Sequence, residues 1–291
     1  MNRRALTPIA TLTALAALVP ALSGCQAVDS VVDYFGPRPD ETLVALARSA
    51  DNDAQNLADV DANASSLRAD QADALYAEVK RLCGLNNEGN APRSCTVERT
   101  TDAPLSDVDV AKTLNEAAHR TRDALSEVSS ESRALVTNQA IVLDAWDGAE
   151  LPAIPELEAA DLESATSLLN WEYEQVFGLD FARSYASPEI EADIDNRLSL
   201  HEKRIEVLQG AIGEVAKVPQ PAVAYQPTAV AGVALPTNAS SAQSYVDKLG
   251  WNDTLKWEDA ASKAAAPTAE GEERVAWRNW LIAVAAQSRG L

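Results

Sequence analysis

The sequence has few of the side chains on which metal and cofactor chemistry depends. It contains two His, three Cys and one Met in 291 residues, so multi-ligand zinc sites, haem and iron–sulfur clusters have too few ligands. It also lacks a Gly-rich phosphate loop, a Gly-x-Ser-x-Gly element and a free Cys/His nucleophile pair. These absences predict that the chain is not an enzyme and carries no cofactor.

Positive charge and glycine are also scarce. The chain has 24 Lys and Arg against 44 Asp and Glu, a formal net charge of -20. Because affinity for nucleic acid depends on clustered Lys and Arg that neutralise phosphates, we expect no nucleic-acid partner. Hydrophobic residues make up 46% of the chain, many of them Ala, and there are only 12 Gly. This composition favours a helical, globular protein.

The first 24 residues predict a lipoprotein signal peptide. Two arginines precede an apolar stretch over residues 6–22, which prolines interrupt and which is too short for a confident membrane span. The stretch ends in Leu22-Ser23-Gly24-Cys25, which resembles a bacterial lipobox. We therefore expect lipid attachment at Cys25 through acyl chains such as palmitate, which would hold the protein on the extracytoplasmic face of the cell membrane. An ordinary signal peptide with a chance Cys is the alternative.

The other two cysteines form an even pair in a chain that is predicted to be exported. Residues 84–94 between Cys83 and Cys95 are rich in Asn, Gly and Pro. In an oxidising compartment this arrangement predicts a structural disulfide that closes a short loop. A redox-active pair is the alternative, although such pairs usually have the closer spacing Cys-x-x-Cys.

The N-terminal half predicts a tether and a long helical hairpin. The tether covers residues 25–39 and ends in Gly36-Pro37-Arg38-Pro39. Apolar residues then recur at helical spacing, with Asp40 as the first cap and Gly84 as the stop, and again from a Ser106–Asp109 capping box to Trp146. We expect two unusually long helices to pair antiparallel as a domain over residues 40–150.

The C-terminal half, residues 151–291, predicts a four-helix bundle. Pro152 and Pro155 mark the boundary. Helical patterns follow over residues 161–185, from Ser187-Pro188-Glu189 to about residue 215, and over 239–266 and 268–290. Several prolines lie in the long connection between the second and third helices. Four helices with one long connection are typical of a ferritin-like bundle.

Several motifs in this half carry a resemblance to a known family. They are the run Leu169-Asn170-Trp171-Glu172-Tyr173-Glu174-Gln175-Val176-Phe177-Gly178, the element His201-Glu202-Lys203-Arg204, the segment Ala224-Tyr225-Gln226-Pro227, and the closing Arg274-x-x-Trp277-x-x-Trp280-Leu281 with Ala285-Ala286. In order and spacing they resemble a ferritin-like domain of unknown function found in actinobacterial envelope proteins. The resemblance covers residues 160 to 290 and implies a four-helix bundle and an exported location, with no settled activity.

Glu172 and His201 are the candidate site residues. Each falls on the inward, apolar stripe of its helix, at similar depths from the Ser187 turn, so we expect them to be close together. Three interpretations stay open, which are a polar pair in the core, part of a binding pocket, and a metal site. The metal interpretation is the weakest, because Leu198, Tyr173 and Gly250 stand where a di-iron bundle would need ligands.

Two further features have plain structural interpretations. Glu116-Ala117-Ala118-His119 is the only Glu-x-x-His in the chain, and its charged neighbours favour a solvated helix face. Tryptophans concentrate near the C-terminus, at Trp251, Trp257, Trp277 and Trp280. They are expected to fill the bundle core, with an exposed aromatic patch for a partner as the alternative.

Two classes of function follow from these patterns. The first is a membrane-anchored lipoprotein of the cell envelope that acts as a non-catalytic interaction or scaffold module for an envelope protein. The second is a small-ligand or metal-binding ferritin-like protein that uses the bundle interior around Glu172 and His201.

Overall fold

The structure is a computed structural model that describes residues 36–99, 102–103, 105, 107–146, 148, 150–226, 232–267 and 273–290. The predicted signal peptide, the predicted lipid site at Cys25 and most of the tether lie outside the described residues. So does Ser106, the predicted helix cap. Within the described ranges, no helix combines the length and the apolar character needed to cross a membrane.

The described residues form eight α-helices and no strand, which confirms the all-α class predicted from the sequence. In chain order the helices are α1 (Glu41–Leu57), α2 (Ala62–Leu82), α3 (Val110–Asp123), α4 (Arg133–Asp144), α5 (Leu162–Arg183), α6 (Pro188–Val215), α7 (Ala239–Ala264) and α8 (Val275–Arg289). Short 3₁₀ turns lie at Arg93–Cys95 and Ala124–Ser126.

The prediction of one long helix from Asp40 to Leu82 is wrong. Asp40 does cap α1 by accepting a hydrogen bond from the Leu43 amide, but α1 ends at Leu57. A second cap, Asp61, accepts hydrogen bonds from the backbone amides of Asn63 and Ala64 and starts α2. The interruption turns Val60 outward, where it is 56% exposed, although the helical pattern placed it inside.

The second long helix is also divided. α3 begins after Asp109, which caps it by accepting from the Lys112 amide. α3 then gives way to a 3₁₀ turn, and α4 begins only at Arg133. Serines are dense between them, and serine competes for backbone hydrogen bonds in a helix. The N-terminal half therefore contains two shorter hairpins, α1–α2 and α3–α4.

A disulfide joins Cys83, just after α2, to Cys95 in the 3₁₀ turn. This is the pairing that the sequence predicts. The Cys83 Sγ lies 3.7 Å from the Arg38 carbonyl oxygen, and the Cys95 Sγ lies 3.3 Å from the Pro37 carbonyl oxygen. The disulfide therefore stands beside the point where the chain enters the first hairpin.

The C-terminal helices pack as two hairpins, α5–α6 and α7–α8, with α5 against α7. Helix α4 packs on α8 and α7, so the largest apolar cluster is shared by both halves and includes Leu75, Ile141, Trp257 and Leu281. A second cluster, with Leu179, Ile194 and Leu249, fills the space between α5, α6 and α7 nearer the α5–α6 turn. The described helices thus form a helical bundle whose main core crosses the predicted boundary at residue 150.

Candidate functional site

Four ionisable side chains meet inside the bundle, and we call them the charge cluster. They are Glu172 of α5, His201 and Arg204 of α6, and Asp253 of α7. Their exposed fractions are 0%, 3%, 0% and 1% respectively. Burial this deep is expensive for a charged group unless partners compensate it, so the hydrogen bonds of the cluster decide what it can do.

Glu172 and His201 are in direct contact, as their predicted depths require. The His201 Nδ1 lies 2.6 Å from the Glu172 Oε2. The second carboxylate oxygen, Oε1, accepts a hydrogen bond from the Trp257 indole at 3.0 Å. Because the short turn after α5 makes α5 and α6 antiparallel, residues at matched distances from that turn face each other.

Arg204 and Asp253 form a second pair beside the first. The Arg204 Nη1 lies 2.9 Å from the Asp253 Oδ2. Ser288 of α8 joins them, because its hydroxyl accepts from Arg204 at 2.8 Å and donates to the Asp253 Oδ2 at 2.9 Å. The other Asp253 oxygen accepts from the Trp171 indole at 3.0 Å. Each carboxylate in the cluster therefore has a basic side chain and an indole donor as partners.

The two pairs are electrostatically linked. The Arg204 Nη1 is also 3.6 Å from the Glu172 Oε1, so the guanidinium lies near both carboxylates. Burial by itself would raise the pKa of Asp253, but Arg204 first and His201 second oppose it, with hydrogen bonds from Trp171 and Arg204. The pKa of Asp253 consequently lies below its ordinary value, and the carboxyl is held ionised.

Neither Asp253 nor Arg204 was predicted from the sequence as a site residue. Gly250 stands where a di-iron bundle would need a ligand, and the acid of α7 comes instead at Asp253, one turn later. A Cβ at Gly250 would overlap the Arg197 guanidinium, so Gly250 makes room for an arginine of α6. The sequence does contain a signal for Asp253, because Leu249, Asp253 and Trp257 recur at helical spacing on one inward stripe.

Tyr173 and Leu198, which stand where a di-iron bundle would need ligands, lie outside the cluster. Tyr173 donates a hydrogen bond to the Pro219 carbonyl at 3.1 Å and accepts one from Gln209 at 2.8 Å. Leu198 belongs to the second apolar cluster. Tyr173 holds the connection after α6, and Leu198 fills the core.

The donor set of the cluster resembles that of a metal site in one respect. Glu172, His201 and Asp253 each offer a ligand atom, and the three atoms lie within 4.8 Å of one another. Carboxylate and imidazole ligands suit zinc, manganese and iron. Arg204 already lies against both acids, however, so a cation would compete with a positive charge that the chain itself supplies.

The remaining sequence candidates are at the surface or in the core. Glu116 lies 3.9 Å from Arg120, while His119 contacts Arg122 at 3.1 Å, so the Glu-x-x-His pair does not act as a unit. Three of the four C-terminal tryptophans are core residues, as expected, and Trp251 is 58% exposed.

Comparisons of the chain with protein-family models, curated proteins and solved structures found no match. The ferritin-like resemblance therefore stays a prediction that depends on the motifs quoted above.

Proposed function

We propose that the protein is a membrane-anchored lipoprotein of the cell envelope that acts as a non-catalytic interaction or scaffold module. Its C-terminal helices would be a ferritin-like bundle, and lipid at Cys25 would anchor it on the extracytoplasmic face. The disulfide supports export, because such bonds persist in oxidising compartments. The described chain enters the fold beside this disulfide, at the end where the tether would arrive.

The non-catalytic part of the proposal depends on one observation, namely that the charge cluster is closed off from solvent. All four side chains are at most 3% exposed, and the guanidinium of Arg204 lies within 4 Å of both carboxylates. A catalytic acid or base must reach a substrate, whereas these groups reach one another. The arrangement supports a role in specifying how α5, α6, α7 and α8 pack.

The surface supports interaction with another molecule. Trp251 and Leu255 lie one turn apart on α7 and are 58% and 45% exposed. The surrounding chain carries a net charge of -20. Aromatic side chains are enriched in protein–protein interfaces, so this pair supports a contact site there, and an envelope protein is the expected partner.

Fractionation of cells that express the full chain tests the anchoring. Wild-type protein should be found in the membrane fraction and should incorporate an alkyne-labelled palmitate, whereas Cys25→Ala should lose the label and either leave the membrane or stay unprocessed. Cys83→Ser with Cys95→Ser is the matched control, since it removes two other cysteines and should keep the label. Equal labelling of Cys25→Ala and the wild type would contradict the anchor.

Metal binding at the charge cluster is the second candidate, and the convergence of Glu172, His201 and Asp253 favours it. Protein purified without chelators should be analysed for metals and then titrated with Mn²⁺, Fe²⁺ and Zn²⁺ while the unfolding temperature is followed. The scaffold proposal expects no stoichiometric metal and no saturable shift. One ion per chain that Asp253→Asn abolishes would instead establish the metal site.

A further inference from the structure

A surface cleft of about 620 Å³ lies between the α3–α4 hairpin and α8. The connection between the two halves of the chain borders it as well, through Gly148, Glu150, Pro152, Ala153 and Pro155. Of its apolar lining residues, Leu114, Leu143 and Trp280 are buried, whereas Pro152, Ala153 and Ala276 are exposed. Clefts of about 300–1,000 Å³ with an apolar lining and a few polar groups, at the junction of two parts of a fold, are the usual form of small-molecule sites.

The apolar wall of this cleft is held in place. Trp280 is 2% exposed, and its indole donates a hydrogen bond to the Pro152 carbonyl at 3.2 Å. Its ring stacks on Trp277 with centroids 5.1 Å apart. The indole therefore holds the linker against α8 at the cleft, so a ligand would not have to order this wall.

The polar lining is negative. Among the described residues that line the cleft, the acids are Asp123, Asp144 and Glu150, and Arg122 is the one permanent cation. That cation is engaged, because its guanidinium pairs with Asp144 and contacts the His119 Nδ1 at 3.1 Å. Two carboxylates are thus in excess, and a concave, partly apolar site strengthens their field.

We propose that this cleft binds a small amphipathic cation, namely a primary amine that carries an aromatic or branched apolar body. The apolar body packs on Pro152, Ala153 and Ala276, and the ammonium group faces the carboxylates at Glu150 and Asp123. An anionic ligand of the same shape is disfavoured, because the single arginine in the lining is already paired. The cleft is separate from the charge cluster, and its occupation does not depend on the proposed function.

Matched probes test the charge and the shape together. Tryptamine, phenethylamine and isoamylamine should be titrated into the full chain by calorimetry, with indole-3-acetate as an anion that has the ring of tryptamine. At least one amine should bind saturably with one site per chain, and indole-3-acetate should bind at least about tenfold more weakly than tryptamine. No saturable binding by any of the three amines, or equal binding by tryptamine and indole-3-acetate, would overturn the proposal.

Variants assign any binding to this cleft. Ala276 is an exposed residue of the first turn of α8 that lines it, so Ala276→Phe should fill the space and reduce amine affinity at least about tenfold. Glu150→Gln should weaken binding severalfold by removing one negative charge. Ala77→Phe, at an exposed position of α2, is the control and should leave affinity unchanged. Circular dichroism confirms that each variant is folded, and amine binding that survives Ala276→Phe would refute the assignment.

Discussion

The guanidinium of Arg204 lies 2.9 Å from the carboxylate of Asp253 in the interior of the bundle, with Ser288 hydrogen-bonded to both. A pair of this kind adds little net stability relative to apolar residues of the same volume, because both charges lose their hydration. Its removal is nevertheless costly if one partner stays behind. The pair therefore constrains α6, α7 and α8 to one arrangement, and single substitutions are expected to expose that constraint.

Asp253→Asn should lower the free energy of unfolding by about 3–5 kcal/mol, because it leaves the Arg204 charge buried without its nearest counterion. Urea denaturation measures the change. Asp247→Asn, at an exposed acid of the same helix, is the matched control and should change stability by less than about 0.5 kcal/mol. Equal effects of the two substitutions would show that the buried pair has no special role.

The same carboxyl should make stability depend on pH in a defined direction. The pKa of Asp253 in the folded chain lies below the ordinary 3.8, so the unfolded chain binds its proton more readily. The stabilisation by Asp253 is then fully present above about pH 4 and is lost as the pH falls through the folded pKa. The difference in unfolding free energy between the wild type and Asp253→Asn should be constant from pH 7 to 5 and should shrink below pH 4. A difference that grows on acidification would have the wrong sign.

Glu172 and His201 should show strong coupling in a double-mutant cycle. Glu172→Ala and His201→Leu should each destabilise the chain by about 1–3 kcal/mol, since each leaves a buried polar partner without its mate. The larger effect is expected for Glu172→Ala, because Trp257 also loses its acceptor. The double variant should cost less than the sum of the single variants, and additive effects in urea denaturation would argue against a direct interaction.

The inward pair could be predicted from the sequence because it depends on helical spacing. Glu172 and His201 occupy apolar stripes, and the turn at Ser187 fixes the register of their two helices. The breaks near Asp61 and before Arg133 were missed for a physical reason, since an aspartate or a few serines can sit in a helical pattern without disturbing its period. Only the capping hydrogen bonds of Asp61 show that a new helix begins there.

The partners of that pair were harder to predict. Arg204 and Asp253 lie on inward stripes too, but a charged residue on such a stripe is interpretable only when its partner is known. The partner lies on another helix and 49 residues away in the sequence. Spacing within one helix therefore identifies which polar residues point inward, whereas their pairing depends on how the two hairpins dock.

The disulfide should stabilise the first hairpin. It closes a loop with a sequence separation of 12, for which the chain-entropy relation gives about 3 kcal/mol. Cys83→Ser with Cys95→Ser should lower the free energy of unfolding by about that amount. Thiol titration of denatured, unreduced wild type should find neither Cys83 nor Cys95 reactive, and peptide mapping that finds both alkylated would contradict the bond.

Gly250 should behave unlike an ordinary helical glycine. Replacing glycine by alanine within a helix normally stabilises it by about 0.5–1 kcal/mol, and Gly210→Ala should do so, because nothing lies within 4 Å of its added Cβ. At Gly250 the new methyl group would overlap the Arg197 guanidinium, which must leave its buried position. Gly250→Ala should therefore give no gain or a loss in the wild type.

The same substitution should become stabilising once the arginine is shortened. In an Arg197→Ala background, Gly250→Ala no longer meets the guanidinium, and the helix-propensity gain of about 0.5–1 kcal/mol should return. Urea denaturation of the four chains in this cycle gives the coupling energy directly. If Gly250→Ala stabilises both backgrounds equally, the Arg197 side chain moves at no energetic cost and the glycine is not required for its placement. A gain confined to the Arg197→Ala background would instead show that Gly250 provides the space that the Arg197 side chain of α6 occupies against α7.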